Sequence, residues 1–172
     1  AVVSNLGIYE DYRHTFARWR FLRYSLHYRW SVRVAARVIA NSESTKRDIV
    51  HHYAIPPEKV SVIYPGTDEA FRPPAGPEAG RAIRRKLGLG EEPYFLFVGK
   101  LSLRRNVGLL LTALARLRQE AGATPHLVIV GPDAHGFALP DQLDALGLAG
   151  VTHYFPFLPH EDLIPLYGAA LA

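Results

Sequence analysis

Apolar residues in this chain recur in two rhythms, and they alternate from one end to the other. Unbroken apolar runs mark buried strands: Val38-Ile39-Ala40, Val60 to Tyr64, Tyr94 to Val98 and His126 to Val130, with shorter candidates over residues 1–8 and 151–155. Steps of three and four mark helices. Phe16, Trp19, Leu22, Leu26, Trp30, Val34 and Val38 form one stripe of a helix predicted over 15–38. Val107, Leu110, Leu111, Leu114 and Leu117 form the buried face of another, predicted over 106–120 with Asn106 as its N-cap. Shorter helices are expected over 45–53, 81–87, 139–146 and 160–171. The first of these starts after the capping-prone run Asn41 to Thr45 and is stopped by Pro56-Pro57.

Strands 94–98 and 127–130 are apolar without alternation, so both of their faces are covered. With helices between the strands, that predicts an α/β chain with parallel sheets. Residues 68–80 are rich in Pro, Gly and Ala and lack periodicity. They read as a linker between two portions, 1–67 and 81–172. The chain has no Met, starts within an expected strand and stops within an expected helix. It is therefore read as an internal piece of a longer protein.

Charge changes the picture locally. The formal net charge is +4, but residues 12–38 hold seven Arg and no Asp or Glu, and the rest of the chain is net acidic. Basicity is thus a property of one helix, and general nucleic-acid binding is not expected. Two readings of that helix compete. Its apolar stripe has the width of a core face, which favours an ordinary domain helix with a solvated Arg face. The other reading is contact with an anionic membrane surface or a lipid-linked acceptor. The chain lacks cysteine, which removes disulfides and thiol chemistry and suits the cytosol. No apolar run approaches the ~20 residues of a membrane span.

The richest chemistry follows the strand at 94–98. Gly99 is followed by Lys100, Arg104 and Arg105 before a helix begins. Three cations at a helix start oppose its dipole unless an anion is present. Arg can grip two oxygens, and Lys acts as a point charge. An anion site and a solvated loop both remain open on these residues alone. The loop is no Walker A motif, because Tyr94 and Leu101 stand where Gly and Ser or Thr are needed. No G-x-G-x-x-G, G-x-S-x-G or H-E-x-x-H occurs, and the adjacent His51 and His52 are expected on different sides of their helix. No metal site is expected.

Four blocks together resemble the retaining nucleotide-sugar glycosyltransferases of the GT-B fold, family four (glycosyl transferases group 1). They are Val38 to Asp48, Glu58 to Pro73, Phe95 to Asn106, and the pair Leu127 to Gly131 and Val151 to Leu166. The resemblance implies two Rossmann-like domains, both partly present, acceptor domain first and donor domain second. It implies transfer of a mannose- or glucose-like hexose from a nucleotide-diphosphate sugar to a glycan or lipid-linked acceptor, with retention and without metal or cofactor. By the same resemblance, Gly99, Lys100 and Arg105 hold the donor diphosphate, although Lys100 stands where Arg is commoner. Gly131, Phe157 and Leu158 fall near the nucleobase, with Phe157 replacing the usual Gly. Gly66 and Asp68 match a turn at the cleft. Ser4 and Asn5 replace a His-Asp pair near the donor sugar. The family's catalytic Glu-x7-Glu segment falls beyond Ala172, so this stretch is not expected to catalyse alone. The expected location is cytoplasmic, with peripheral membrane contact at the inner face as a further option. The alternative is a non-catalytic GT-B-like binding module that works through the Arg-rich helix 15–38.

Overall fold

A computed structural model describes residues 2–3, 18–72, 76–102, 105–121, 125–133 and 136–172. The chain divides into two compact units, Ala1–Thr67 and Asp68–Ala172.

The first unit is built on a parallel sheet of order β1 (Val2–Val3), β2 (Val38–Ala40) and β3 (Val60–Val62). Val2 pairs with Ile39, and Val38 with Val60. Each parallel step needs a crossover. These are α1 (Arg18–Val34) and α2 (Glu43–Tyr53). Ser42 caps α2, its Oγ accepting the Thr45 N–H at 3.1 Å, while the Thr45 hydroxyl donates to Asn41 Oδ1 at 2.9 Å. The polar run before α2 is therefore a cap, and α2 starts two residues earlier than predicted. Val38, Ala40, Ile49, Tyr53 and Val60 form the core of this unit.

The helix predicted over 15–38 ends at Val34, and residues 35–37 lead into β2. Its end is held by the turn before β3. Lys59 Nζ donates to the Arg33 carbonyl at 2.7 Å, and Arg37 donates to the Glu58 carbonyl at 3.1 Å. The larger correction concerns orientation. Val32 is fully buried, with Tyr28 and Ala35 packed beside it. At about 3.6 residues per turn, these lie opposite Trp19, Leu26 and Trp30. Trp19, Leu22, Leu26, Trp30 and Val34 are each close to 60 % exposed. Of the predicted stripe, Phe16 lies outside the described residues and Val38 belongs to β2. The reading of the stripe as core is overturned: the helix turns a different side inward.

The second unit is a parallel sheet of order β4 (Tyr94–Val98), β5 (His126–Val130) and β6 (Thr152–Phe155). Tyr94 pairs with His126, Val98 with Val130, and Val130 with Phe155. Helices α4 (Val107–Ala121) and α5 (Leu139–Ala145) cover one face, with Val107, Leu111, Leu114, Leu127 and Ile129 in a common core. Leu117, predicted on the buried face of α4, is 37 % exposed, and Ala115 is buried instead. Helices α3 (Glu78–Leu87) and α6 (His160–Gly168) cover the other face, packing Ile83 and Leu166 on Tyr94, Val128 and Val130. After α6 the chain returns to the free edge of β4. Leu171 N–H donates to the Tyr94 carbonyl at 2.9 Å, and Leu96 N–H to the Ala172 carbonyl at 2.8 Å.

That return gives the sheet a reversal of direction at β4. Two crossovers carry the chain from β4 to β6 on one face, and the third carries it back past β4 on the other. Right-handed crossovers require this change of face. The crevice at the carboxyl end of such a reversal is where open α/β sheets bind ligands.

The second unit also reaches into the predicted linker. Helix α3 begins at Glu78, and Asp68 Oδ1 accepts the Ala70 N–H at 2.9 Å in a tight turn. The Phe71 ring meets His160 edge-on at 4.8 Å and Tyr167 at 5.6 Å, which fixes this segment on α6.

Candidate donor-phosphate site

The carboxyl ends of β4 and β5 meet through two glycines. Gly99 N–H donates to the Val130 carbonyl at 2.8 Å, and Gly131 N–H to the Phe155 carbonyl at 2.9 Å. Pairing continues past Gly99, where Leu101 N–H donates to the Pro132 carbonyl at 3.0 Å. Gly131 has φ +141°, and a Cβ there would lie 2.3 Å from the Gly99 carbonyl oxygen. Gly99 has φ +151°, and its Cβ would lie 2.7 Å from the Arg105 guanidinium. Both glycines are required by close approach as well as by backbone conformation. Arg105 is brought back over the strand end by a turn in which its N–H donates to the Ser102 carbonyl at 3.0 Å.

Gly99 is thus in contact with both Arg105 and Gly131 at the reversal point of the sheet. Lys100 is exposed beside them. Among the described residues neither Lys100 nor Arg105 forms an ion pair. Arg105 lies two residues before α4, where the helix dipole adds to the positive field. The arrangement suits an anion with several oxygens. Asn106 was expected to cap α4 through its side chain. It instead adopts a left-handed φ of 51°, and its carbonyl accepts the Leu109 N–H at 3.1 Å. Asn tolerates that conformation better than most residues.

The nucleobase candidates divide. Leu158 is 9 % exposed and packs in the core between the sheet and α6, so its side chain is structural. Phe157 is 79 % exposed just past the end of β6. Sequence reasoning passed over Asp133, which stands in the loop after Gly131. Its N–H donates to the Tyr154 hydroxyl at 3.0 Å, and its Oδ1 accepts the Phe137 N–H at 3.0 Å. The G-P-D run after an apolar strand was the available signal.

Gly66 is exposed, and a Cβ there would meet nothing within 4 Å, so packing does not demand glycine. Asp68 is exposed and occupied by its own turn. Ser4, Asn5 and Arg104 lie outside the described residues. No group of three or more His, Asp or Glu is placed to hold a metal ion among the described residues. The rings of His51 and His52 meet edge-on at 5.3 Å on α2. Among the described residues no helix is long and apolar enough to cross a membrane.

Comparison with known proteins identifies the family and the fold. Residues 2–71 match the family described as Glycosyltransferase Family 4, and residues 80–172 match Glycosyl transferases group 1. A D-inositol 3-phosphate glycosyltransferase of Streptomyces scabiei is 34 % identical over 149 residues, covering 81 % of this chain and 33 % of the relative. One of the same name from Salinispora arenicola is 36 % identical over 148 residues, covering 79 % and 33 %. The chain therefore spans about a third of the length of these relatives. Among solved structures, Anabaena HepE in complex with UDP-glucose superposes with a TM-score of 0.75 at 23 % identity, covering 98 % of this chain and 44 % of HepE. WaaG, a glycosyltransferase involved in lipopolysaccharide biosynthesis, gives 0.75 at 22 % identity, covering 98 % and 47 %. The fold is that of the GT-B glycosyltransferases, and the chain belongs to the family-four, group 1 glycosyltransferases.

Proposed function

We propose that this chain forms the donor-phosphate site and adjoining parts of a glycosyltransferase. It moves a mannose- or glucose-like hexose from a nucleotide-diphosphate sugar to a hydroxyl of a glycan or lipid-linked acceptor, with retention and without a metal ion. Residues 81–172 serve the donor, residues 1–67 the acceptor, and 68–80 join them. The observation that carries this reading is Arg105 lying against Gly99, itself pressed on Gly131, at the reversal point of the sheet, with Lys100 beside it. Arg105 would take two diphosphate oxygens and Lys100 a third. Both would stabilise the charge that grows on the leaving diphosphate as the glycosidic bond to the sugar breaks. The names of the curated relatives support transfer to a hydroxyl-bearing acceptor. HepE, of the same fold, was solved with a donor of the class proposed. No catalytic acid or base is assigned to residues of this chain, and the proposed location is the cytoplasm.

The test is release of nucleoside diphosphate from UDP-, GDP- and ADP-hexoses by the full-length protein. Arg105→Ala is expected to lower it at least tenfold with the fold intact. Unchanged turnover removes Arg105 from the site. The anomeric configuration of the product decides retention.

A second reading concerns α1. Trp19, Leu22, Leu26 and Trp30 point away from the core of their unit, with Arg23, Arg29 and Arg33 among them and no acidic residue on the helix. Arg23 lies over the Trp19 ring at 5.4 Å. This face favours an anionic membrane surface over a second copy of itself, because two such faces repel. It serves a lipid-linked acceptor equally well in an enzyme or in a non-catalytic binding module. Activity on nucleotide sugars separates the two.

A further inference from the structure

The amino ends of β5 and β6 hold a pair of imidazoles that nothing in the donor site uses. His126 opens β5, and His153 is the second residue of β6. His153 pairs in register with Val128, two residues on from His126. Side chains two apart on a strand share a face, so both rings project on the face that carries Val128 and Val130. That face of β5 is otherwise apolar and packs on Ile83 and Leu166. Nδ1 of His126 lies 3.0 Å from Nε2 of His153. The ring centroids are 5.2 Å apart, with the planes tilted by 32°.

Distance and exposure both suit a metal ion. Two imidazole nitrogens that bind one ion at about 2.0–2.1 Å lie about 2.9 Å apart at a right angle and about 3.4 Å apart at a tetrahedral angle. The observed 3.0 Å falls within that bite. Both residues are half-buried, so water reaches them and can complete the coordination.

The backbone holds the pair ready. β5 and β6 pair from Leu127 to Val130, and His126 N–H donates to the Pro93 carbonyl at 2.8 Å. Little ordering is left when an ion arrives. The rings alone need to turn, about a torsion that is broad in His. In the ion-free pair one ring donates its N–H to the other. Binding moves that proton to the second nitrogen of the same ring. Both inner nitrogens then present lone pairs, and no net proton is released.

We propose that His126 and His153 form a two-point site for a divalent late first-row transition ion. Imidazole suits Cu²⁺, Ni²⁺ and Zn²⁺, with Cu²⁺ bound most tightly, whereas Mg²⁺ and Ca²⁺ prefer oxygen ligands. Val130 is four residues on from His126, so the ion lies about 13 Å back along the strand from the donor end of the sheet. It staples the amino ends of β5 and β6 and takes no part in sugar transfer. The site does not depend on the donor-phosphate reading.

The test titrates Cu²⁺, Ni²⁺ and Mg²⁺ into the full-length protein by calorimetry and records the paramagnetic resonance of the Cu²⁺ form. The expected result is Cu²⁺ coupled to two nitrogens, Ni²⁺ bound more weakly, Mg²⁺ not bound, and a melting temperature raised by Cu²⁺. His126→Gln and His153→Gln are each expected to weaken Cu²⁺ about tenfold or more, because each leaves a single imidazole. His51→Gln with His52→Gln is expected to leave the affinity unchanged. Circular dichroism checks each fold. If a variant unfolds, the parent spectrum decides, and coupling to fewer than two nitrogens overturns the site. Equal Cu²⁺ affinity in the parent and in His153→Gln overturns it as well, and so does a parent that binds no Cu²⁺. A loss confined to the His51 and His52 variant moves the ion to α2 and overturns it too.

Discussion

The Arg105 guanidinium lies against the α-carbon of Gly99, so closely that a methyl group there would sit 2.7 Å from it. Gly99 in turn presses its carbonyl on Gly131, where a methyl group would sit 2.3 Å from the oxygen. The two glycines differ in what would have to yield. At Gly99 the obstacle is the end of a flexible side chain, and at Gly131 it is backbone. Both also hold φ values that L-residues rarely adopt. Gly99→Ala is expected to cost about 1–2 kcal/mol and to displace Arg105. Gly131→Ala is expected to cost about 3 kcal/mol or more. Urea unfolding of the two variants measures the order, and a smaller loss at Gly131 contradicts the packing described.

Tyr94 ties β4 to α6. Its buried hydroxyl donates to the Leu166 carbonyl at 2.6 Å, filling one of the acceptors that a helix end leaves open. Arg84 lies over its ring at 4.7 Å. Burial pushes the phenol up to about 12, with Arg84 pulling the other way. The folded state therefore holds this proton more tightly than the unfolded chain does. The stabilisation is complete below the unfolded value near 10 and is lost as pH rises from there through about 12. Tyr94→Phe is expected to cost about 1 kcal/mol at neutral pH and to remove this part of the alkaline loss. Phenolate absorbance followed during a base titration reads it directly.

His126 and His153 meet on adjacent strands, with Nδ1 of the first 3.0 Å from Nε2 of the second. Burial, and then the charge of His126, hold the His153 imidazole below the ordinary histidine range. The unfolded chain thus binds the His153 proton more readily than the folded one. Stability is full above the unfolded value of about 6.5 and falls as pH drops below it. His153→Gln is expected to flatten stability between neutral pH and mildly acidic pH. An unchanged slope in melting temperature against pH would remove the pair as its cause.

Much of the second unit was legible because its strands are unbroken apolar runs ending in glycine. Tyr94 to Val98 and His126 to Val130 needed no tertiary information to be placed. The reversal at β4 was not legible. It depends on hydrogen bonds from Leu171 and Ala172 to a strand far back along the chain, and no local pattern encodes them. Helix α1 failed for a different reason. Periodicity finds an apolar face but not what covers it, and the inward residues Tyr28, Val32 and Ala35 were too few to compete with the Trp and Leu stripe. Arg105 was named from its place in the loop. Its contact with Gly99 comes from the turn at Ser102, which the residues between them do not announce.

That outward stripe has its own consequence. Leu26→Ser with Trp30→Ser is expected to change stability by no more than about 0.5 kcal/mol per site, as for surface positions. A core face would lose several times that. The same double variant is expected to abolish pelleting with anionic vesicles, which in the parent chain weakens with salt because each Arg contributes about 1 kcal/mol near such a surface. Equal pelleting of parent and variant rejects the surface role of α1.

The central claim is that Lys100 and Arg105, gathered at the carboxyl end of β4, hold the diphosphate of a nucleotide sugar. The most direct measurement is calorimetric titration of inorganic pyrophosphate and of a nucleoside diphosphate into the parent chain and into Arg105→Ala. The account predicts binding of both by the parent and a loss of about tenfold or more in the variant, on the scale of a charge-assisted hydrogen bond. Equal affinity in parent and variant, or no binding by either, contradicts it.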